Sequence, residues 1–298
     1  MTYSSWIIYN AYLQGNKFKD YAQMLARAAE EKGHRVTVLK NNELTSMLSN
    51  HLSFIKREEM PDYVLFTDKD LYLATQLELM NIPIFNRAKT IAITDDKIKT
   101  YQRLAYHRLP IPKTVVAPKT FGYPLHVDDP FIEHVVRTFP YPFVMKEAYG
   151  SFGEQVYLIE NEKQLAYTLQ KIVGKPFLVQ TFIEESFGRD VRIQVVGEKV
   201  VAAMIRSSKD DFRANVTSGG VMEPYRPTER ECDIAIRASK AVGAHFSGVD
   251  LLFGPNDEPI ICEVNSNAHI RNLLDCTGID ASYPIIGEVE RQLKGVTQ

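Results

Sequence analysis

The 298 residues carry 35 Lys and Arg against 37 Asp and Glu, for a formal net charge of −2, with 45% hydrophobic and 24% charged residues. That balance suits a soluble globular chain with a real core, and it gives no electrostatic footing for a general nucleic-acid or membrane-surface role. No apolar run reaches membrane-spanning length. The start, MTYSSWIIYNAYLQG, lacks the basic end, long apolar stretch and small-residue cleavage site of a secretory signal. Cys232, Cys262 and Cys276 have no metal-ligand spacing and suit a reducing compartment, so a cytoplasmic protein of two or three compact units is expected.

In chain order, an apolar strand at 6–9 precedes a polar loop. Residues 18–32 then place Tyr21, Met24, Leu25, Ala28 and Ala29 at helical spacing, ending at Gly33. Strands at 35–39 and 63–66, a helix over 69–80 and a short strand at 82–85 complete an α/β unit of doubly wound type. No GxGxxG follows its first strand, so a dinucleotide fingerprint is absent. Residues 89–104 read as one helical region stopped by LPIP. The Pro- and aromatic-rich stretch 118–142 reads as a connector with one helix over 131–138. Strands at 142–147 and 156–159 flank the tight loop Gly150-Ser151-Phe152-Gly153, followed by a helix at 163–172 and a strand at 176–182. Strands at 190–196 and 199–205 surround the turn Gly197-Glu198. An amphipathic helix over 229–242 precedes two apolar runs, 249–253 and 260–264, joined by GPNDEP. Residues 267–278 read as a loop, and a helix near 285–293 closes the chain.

The GPNDEP hairpin carries the sharpest chemical signal. A symmetric turn sets Phe253 opposite Ile260, and counting back sets Asp250 opposite Glu263, with Asn265 on the same face. Like charges across a ladder repel. A hard divalent cation, Mg²⁺ or Mn²⁺, resolves that repulsion with oxygen ligands; two solvated acids on an exposed face are the alternative. By the same alternation Cys262 points away from Glu263, as a small buried hydrophobe. Lys146 leaves an apolar strand beside the glycine loop, where it can meet a phosphate or simply be a surface lysine. Lys97, in TDDKIK, reads as readily as part of a solvated helix face. Asp190 can accept from ribose hydroxyls or pair with Arg189 or Arg192. Arg206, Arg213 and Asn215 lie on a polar stretch suited to oxyanion recognition or to a flexible charged loop.

The order of these features is more telling than any one of them. Asn86, TDDK with Lys97, LPIPKT, FVMKEAYGSFG, LVQTFIEESFGRDVRIQVVGEKVVAAMIR, DFRANVTSGG, GVDLLF and ICEVNSN together resemble the ATP-grasp superfamily, most closely its RimK-like carboxylate–amine ligases. The resemblance runs from about Asn86 to the C terminus. It implies an α/β, ATP-grasp fold: an N-terminal doubly wound pre-ATP-grasp domain at 1–88, a central lid domain at 89–182 and a C-terminal α+β domain with the metal site at 183–298. It implies ATP and two Mg²⁺ or Mn²⁺ ions. Lys97 and Lys146, with Ser151 in the glycine loop, would hold the phosphates. Gln180, Thr181, Phe182 and Ile183 would form the adenine hinge, and Asp190 the ribose acceptor. Arg206, Arg213 and Asn215 would meet the γ-phosphate and reacting centre, and Asp250, Glu263 and Asn265 the metal. Relatives often carry Glu where Thr181 stands, which weakens a side-chain role there.

The implied reaction joins a carboxylate to an amine, of an amino acid or a peptide, through an acyl phosphate with release of ADP and phosphate. A protein C-terminus or a carrier as substrate, and a homo-oligomer, stay open; nucleic-acid and membrane partners are not expected. The other readings are a nucleotide-binding module without ligase activity and an ATP-grasp kinase. The segment SNAHIRN departs from relatives, so His269 and Arg271 are expected either at the acceptor site, with Arg271 on a substrate carboxylate, or in a solvated loop.

Overall fold

The computed structural model describes residues 2–55, 59–151, 153–214 and 220–296. The first unit contains β1 (Ser4–Tyr9), α1 (Lys17–Glu31), β2 (Arg35–Lys40), a hairpin of β3 (Ser46–Leu48) and β4 (Leu52–Phe54), β5 (Tyr63–Phe66), α2 (Leu71–Leu79) and β6 (Ile84–Phe85). Its main sheet is parallel, in the order β2-β1-β5-β6. Alternation sorts the side chains: Ile7, Tyr63 and Leu65 face α1, whereas Trp6, Ile8, Val64 and Phe66 face Leu73, Ala74 and Leu77 of α2. Helices therefore cover both faces, as a doubly wound sheet requires. The β3–β4 hairpin carries no strong alternation and was not expected from sequence.

Next come α3 (Ala88–Thr94) and α4 (Lys97–Tyr106). The expected single helical region is two because the Asp96 carboxylate accepts from the N–H groups of Ile98 at 2.9 Å and Lys99 at 3.2 Å, starting a new helix with Lys97 as its first residue. The central elements are β7 (Thr114–Val116), α5 (Pro130–Thr138), β8 (Phe143–Glu147), β9 (Val156–Ile159), α6 (Glu162–Lys171) and β10 (Phe177–Thr181). They form an antiparallel sheet, β7-β10-β8-β9. Phe143, Met145, Phe177 and Val179 bury one face against Ile132 and Val135 of α5 and Leu165 and Leu169 of α6. Val144, Lys146 and Gln180 consequently line the opposite face.

The last elements are β11 (Arg189–Val196), β12 (Lys199–Ser207), β13 (Val221–Pro224), α7 (Glu229–Val242), β14 (Phe246–Phe253), β15 (Pro259–Asn265), α8 (Arg271–Thr277) and α9 (Ser282–Val296). The five strands pair antiparallel in the order β13-β12-β11-β14-β15. One face packs Val191, Ile193, Val249, Leu251 and Val264 against Tyr101 and Leu104 of α4 and Ile234, Ala235 and Ala238 of α7. The other joins Ala202, Met204 and Phe246 to a core shared with α1, α8, α9 and the first sheet. The expected loop at 267–278 thus contains α8. Its seven residues are too short to show a period, and it stops at Gly278, whose φ of 73° is a left-handed cap.

The hairpin register carries a second correction. Asp250 does face Glu263, but Phe253 faces Pro259 and not Ile260. A bulge next to Asp250 leaves Cys262 unpaired and restores the register beyond it. Among the described residues, no helix is long and apolar enough to cross a membrane.

Candidate active site

The polar faces of the central and last sheets enclose a cleft of about 1090 Å³, which also reaches loops of the first unit. That volume sits at the upper end for ligand sites, with room for more than one small molecule. Lys97, Lys146, Ser151, Gln180, Thr181, Phe182, Ile183, Asp190, Arg206, Arg213, Asp250, Glu263 and Asn265 all line it. Asn215 lies outside the described residues, as does Phe152 of the glycine loop.

A row of charges crosses the sheet. Arg192 on β11 is the direct neighbour of Asp250 on β14, which is the direct neighbour of Glu263 on β15. Arg192 donates to both Asp250 oxygens, at 2.7 and 2.6 Å. Arg206 on β12 grips Asp190 in the same way, at 2.7 and 2.6 Å, and reaches Asp250 at 3.0 Å. All of Asp190, Arg206 and Asp250 are buried. Burial works against the Asp250 carboxylate, but Arg192 and Arg206 outweigh it and hold its pKa below the usual range. Burial pushes Asp190 up, with Arg206 pulling the other way. Of the sequence alternatives for Asp190, neither Arg189 nor Arg192 is its partner; Arg206 is.

Gly248 makes room beside this arrangement. A Cβ there would stand 2.6 Å from the Ala268 Cβ, so the bare backbone lets the segment after β15 close onto β14, while Arg192 lies at ordinary contact distance, 3.7 Å. Arg192 was not singled out as a site residue. Its position two residues after Asp190 puts both on one face, a signal that was present.

The repulsion inferred between Asp250 and Glu263 is thus relieved by protein cations. Arg192 and Arg206 take Asp250, while Lys97 and Lys146 are close enough to feel Glu263. The donor set still fits a hard cation. A carboxylate has about four lone-pair sites, and the contacts to Arg192 and Arg206 use one on Oδ1 and two on Oδ2, leaving Oδ1 one more. Asn265, two residues beyond Glu263, has a buried Nδ2 with no hydrogen-bond partner, so its amide is not tied down by the protein through that atom. No cluster of three His, Cys, Asp or Glu exists among the described residues; the set is two acids and an amide.

Lys146 comes from β8 on the facing sheet and donates to Tyr101 Oη at 3.3 Å, with the Cys262 thiol 3.9 Å away. Cys262 therefore lines the cleft, contrary to strict alternation, because the bulge turns two successive residues of β15 towards one side. Lys97 donates to the Gly150 carbonyl at 3.0 Å, and burial, aided by Lys146 and Lys69, lowers its pKa against the pull of Glu263. Arg213 is held by Asp211 and donates to the Gly153 carbonyl at 2.5 Å. Lys69 donates to Ser151 Oγ at 3.2 Å. Three cations from separate segments thus converge on the glycine loop. Gln180 donates to Thr114 Oγ1 at 2.8 Å and leaves Oε1 buried without a partner. Thr181 is tied through its backbone N–H to Lys113 O at 3.0 Å.

Arg271 lines the cleft as expected, but it already has a protein partner. It forms a two-pronged pair with Asp20 of α1, at 2.8 and 2.7 Å, which joins the last unit to the first. His269 meets Phe18 edge to face and Tyr21 at a tilt, at the cleft margin. Asn86, fully buried, donates to Phe246 O at 2.8 Å and Ser266 O at 2.9 Å and accepts from the N–H of His245. It pins the start of β14 to the segment that follows β15, and so fixes both sides of the site.

A family model described as the RimK-like ATP-grasp domain matches residues 94–289. A protein of Vibrio parahaemolyticus named as a probable alpha-L-glutamate ligase is 31% identical over 286 residues, spanning 91% of this chain and 91% of its own. The fold resembles a RimK domain ATP-grasp protein of Sphaerobacter thermophilus, with a TM-score of 0.73 at 19% identity over 95% of this chain and 98% of that one. It also resembles a D-alanine–D-alanine ligase of Bacillus anthracis solved with ATP, with a TM-score of 0.72 at 15% identity over 99% of both chains. The extent of these matches, on a cleft walled by two facing sheets and crossed by paired carboxylates, makes the chain a member of the RimK-like ATP-grasp family.

Proposed function

We propose that the protein is an ATP-dependent ligase that activates a carboxylate as an acyl phosphate and joins it to the amine of an amino acid or peptide, with glutamate as one of the two substrates. The observation that carries this is the cross-strand pair Asp250–Glu263 with Asn265, facing Lys146 across a single cleft. The name of the Vibrio relative supplies glutamate.

Lys97 and Lys146 meet the nucleotide phosphates, with Ser151 and the backbone of the glycine loop above them. Gln180, whose Oε1 lacks a partner, lies with Thr181, Phe182 and Ile183 where an adenine edge can be read. Each Asp190 oxygen keeps a lone pair beyond its bond to Arg206, enough to accept from a ribose hydroxyl. Arg206 and Arg213, with Asn215, offset the charge that gathers when a phosphoryl group passes to a carboxylate. Asp250, Glu263 and Asn265 would hold Mg²⁺, which when bound would neutralise further phosphate charge. The amine then attacks the activated carbonyl carbon and phosphate departs. No protein nucleophile is needed.

The test is product analysis with ATP and a panel of amino-acid pairs. ADP and phosphate should appear in equal amounts with the new amide. Hydroxylamine, given in place of the amine, should trap the activated carboxylate as a hydroxamate, and Lys146→Ala should suppress trapping and ligation together. AMP as product would falsify the acyl-phosphate route.

A further inference from the structure

Where the cleft reaches the first unit, a buried charge has no counter-ion. Asp68, only 4% exposed, lines the cleft just after β5. Its carboxylate accepts from Asn10 Nδ2 at 3.0 Å to each oxygen and from the N–H of Lys69 at 2.7 Å, all neutral donors. The Lys69 ammonium is engaged elsewhere, with Asp95 at 2.6 Å. No ion pair among the described residues includes Asp68. Burial first, and neighbouring Asp70 besides, push its carboxyl up. Buried carboxylates are ordinarily paired, so the missing partner of Asp68 is a cation. Asn267 adds to the deficit. Its Nδ2 donates to the Asp68 backbone carbonyl at 2.7 Å, and its Oδ1 is buried without a donor. A carboxylate lacking a counter-ion and an amide oxygen lacking a donor, on one wall, suit an ammonium, which has three N–H groups and no acceptor.

Two residues further on, the sign changes. His269 Nδ1 is buried with no hydrogen-bond partner. Burial, with Lys17 and Arg192, holds the imidazole down at about 4 against a bond to the Lys17 backbone, so it is neutral near pH 7, and the tautomer protonated at Nδ1 donates from that nitrogen. A neutral donor in the field of Lys17 and Arg192 suits an anion. Arg271, held by Asp20 as Arg192 is held by Asp250, lines the same cleft.

Resting on the ligase reading, we propose that this wall is the site of the incoming α-amino acid: Asp68 and Asn267 take its ammonium, and His269, with Lys17 and Arg192, its α-carboxylate. Acceptor choice then lies with the first unit and the SNAH segment, apart from the residues assigned to the nucleotide and the metal.

Titration calorimetry on protein saturated with Mg²⁺ and AMPPNP tests it, using a panel of L-amino acids, each with its deamino and decarboxylated counterparts; for L-glutamate these are glutarate and 4-aminobutyrate. At least one amino acid should bind, about tenfold or more tighter than either counterpart. Asp68→Asn should erase the margin over the deamino compound, and His269→Ala the margin over the decarboxylated one. AMPPNP affinity should stay within about twofold in both, since neither residue is at the phosphates. Asp68→Asn should also hold or raise the melting temperature of the ligand-free protein, because it removes a buried unpaired charge; a purely structural Asp68 would lower it. Should a variant fold poorly, Asn267→Ser gives the same readout for the ammonium. Margins that survive substitution, or a loaded protein that binds no amino acid, overturn the proposal. Failure of the wild-type protein to bind AMPPNP sinks the ligase reading itself, and the proposal with it.

Discussion

Asp250→Asn is expected to lower turnover by about a thousandfold, if Asp250 is the metal ligand proposed for it, and also to lower the melting temperature. Glu263→Gln is expected to match the first effect without the second. The hairpin alone suggests that either change relieves repulsion and leaves the fold untouched. The cross-strand row reverses this for Asp250, whose oxygens anchor Arg192 and one arm of Arg206. Neutralising it leaves Arg192 without its carboxylate in a largely buried position, a loss of about 1–3 kcal/mol, or roughly 2–10 °C. Glu263 has no such bidentate partner, only the nearby charges of Lys97 and Lys146. Melting curves and Mn²⁺ titration by electron paramagnetic resonance separate the two effects. Full activity in either variant would end the metal assignment, and equal melting temperatures would end the account of Arg192.

Arg206→Ala should produce the largest loss of stability of any single change at the site. It strands Asp190, buried beneath the two-pronged grip, and strips Asp250 of a contact. Removing one member of a buried pair costs about 3–5 kcal/mol, a fall on the order of 10 °C in a chain of this size. Arg206→Met combined with Asp190→Asn should recover most of that fall, because an apolar stem beside a neutral amide replaces a lone buried charge. On the role proposed for Arg206 the pair should remain inactive, since a cation that offsets the charge of the transferring phosphate is gone. A single variant that melts like wild type would show that Asp190 finds another partner. A double variant as unstable as the single would show that packing, not charge, sets the loss.

What could be read from the residues follows the reach of local pairing. Asp250 and Glu263 lie on one hairpin, so counting along a strand brought them face to face even though the assumed turn was one residue off. The bulge absorbed that error, and the same bulge defeated the reading of Cys262. Arg192 meets Asp250 across 58 residues of chain, and Arg271 meets Asp20 across 251. Nothing near either arginine signals which acid it will find. The pairing of Arg271 with Asp20 went unread for that reason, although Arg271 does line the cleft as expected. Short elements escaped for another: β7, of three residues, and α8, of seven, are each shorter than the stretch over which a period can be read. The break between α3 and α4 was legible in Asp95-Asp96, a capping signal passed over inside an otherwise continuous run.

The core shared by α1, α8, α9 and the outer two sheets also governs how the molecule comes apart. Ile7, Leu65 and Phe85 of the first sheet and Ala202, Met204 and Phe246 of the last belong to one apolar cluster, knitted by Ile270, Leu273, Ile285 and Val289. The central sheet keeps most of its apolar residues in a separate cluster with α5 and α6. The chain therefore visits one cooperative body, leaves it to build a second, and returns. On this arrangement amides of β1 and β14, far apart in sequence, should exchange with solvent at the same opening free energy, while those of β8 and β10 open independently and more often. If β8 and β10 do open first, entry of the reactants and release of the products are expected to follow the excursions of that lighter body.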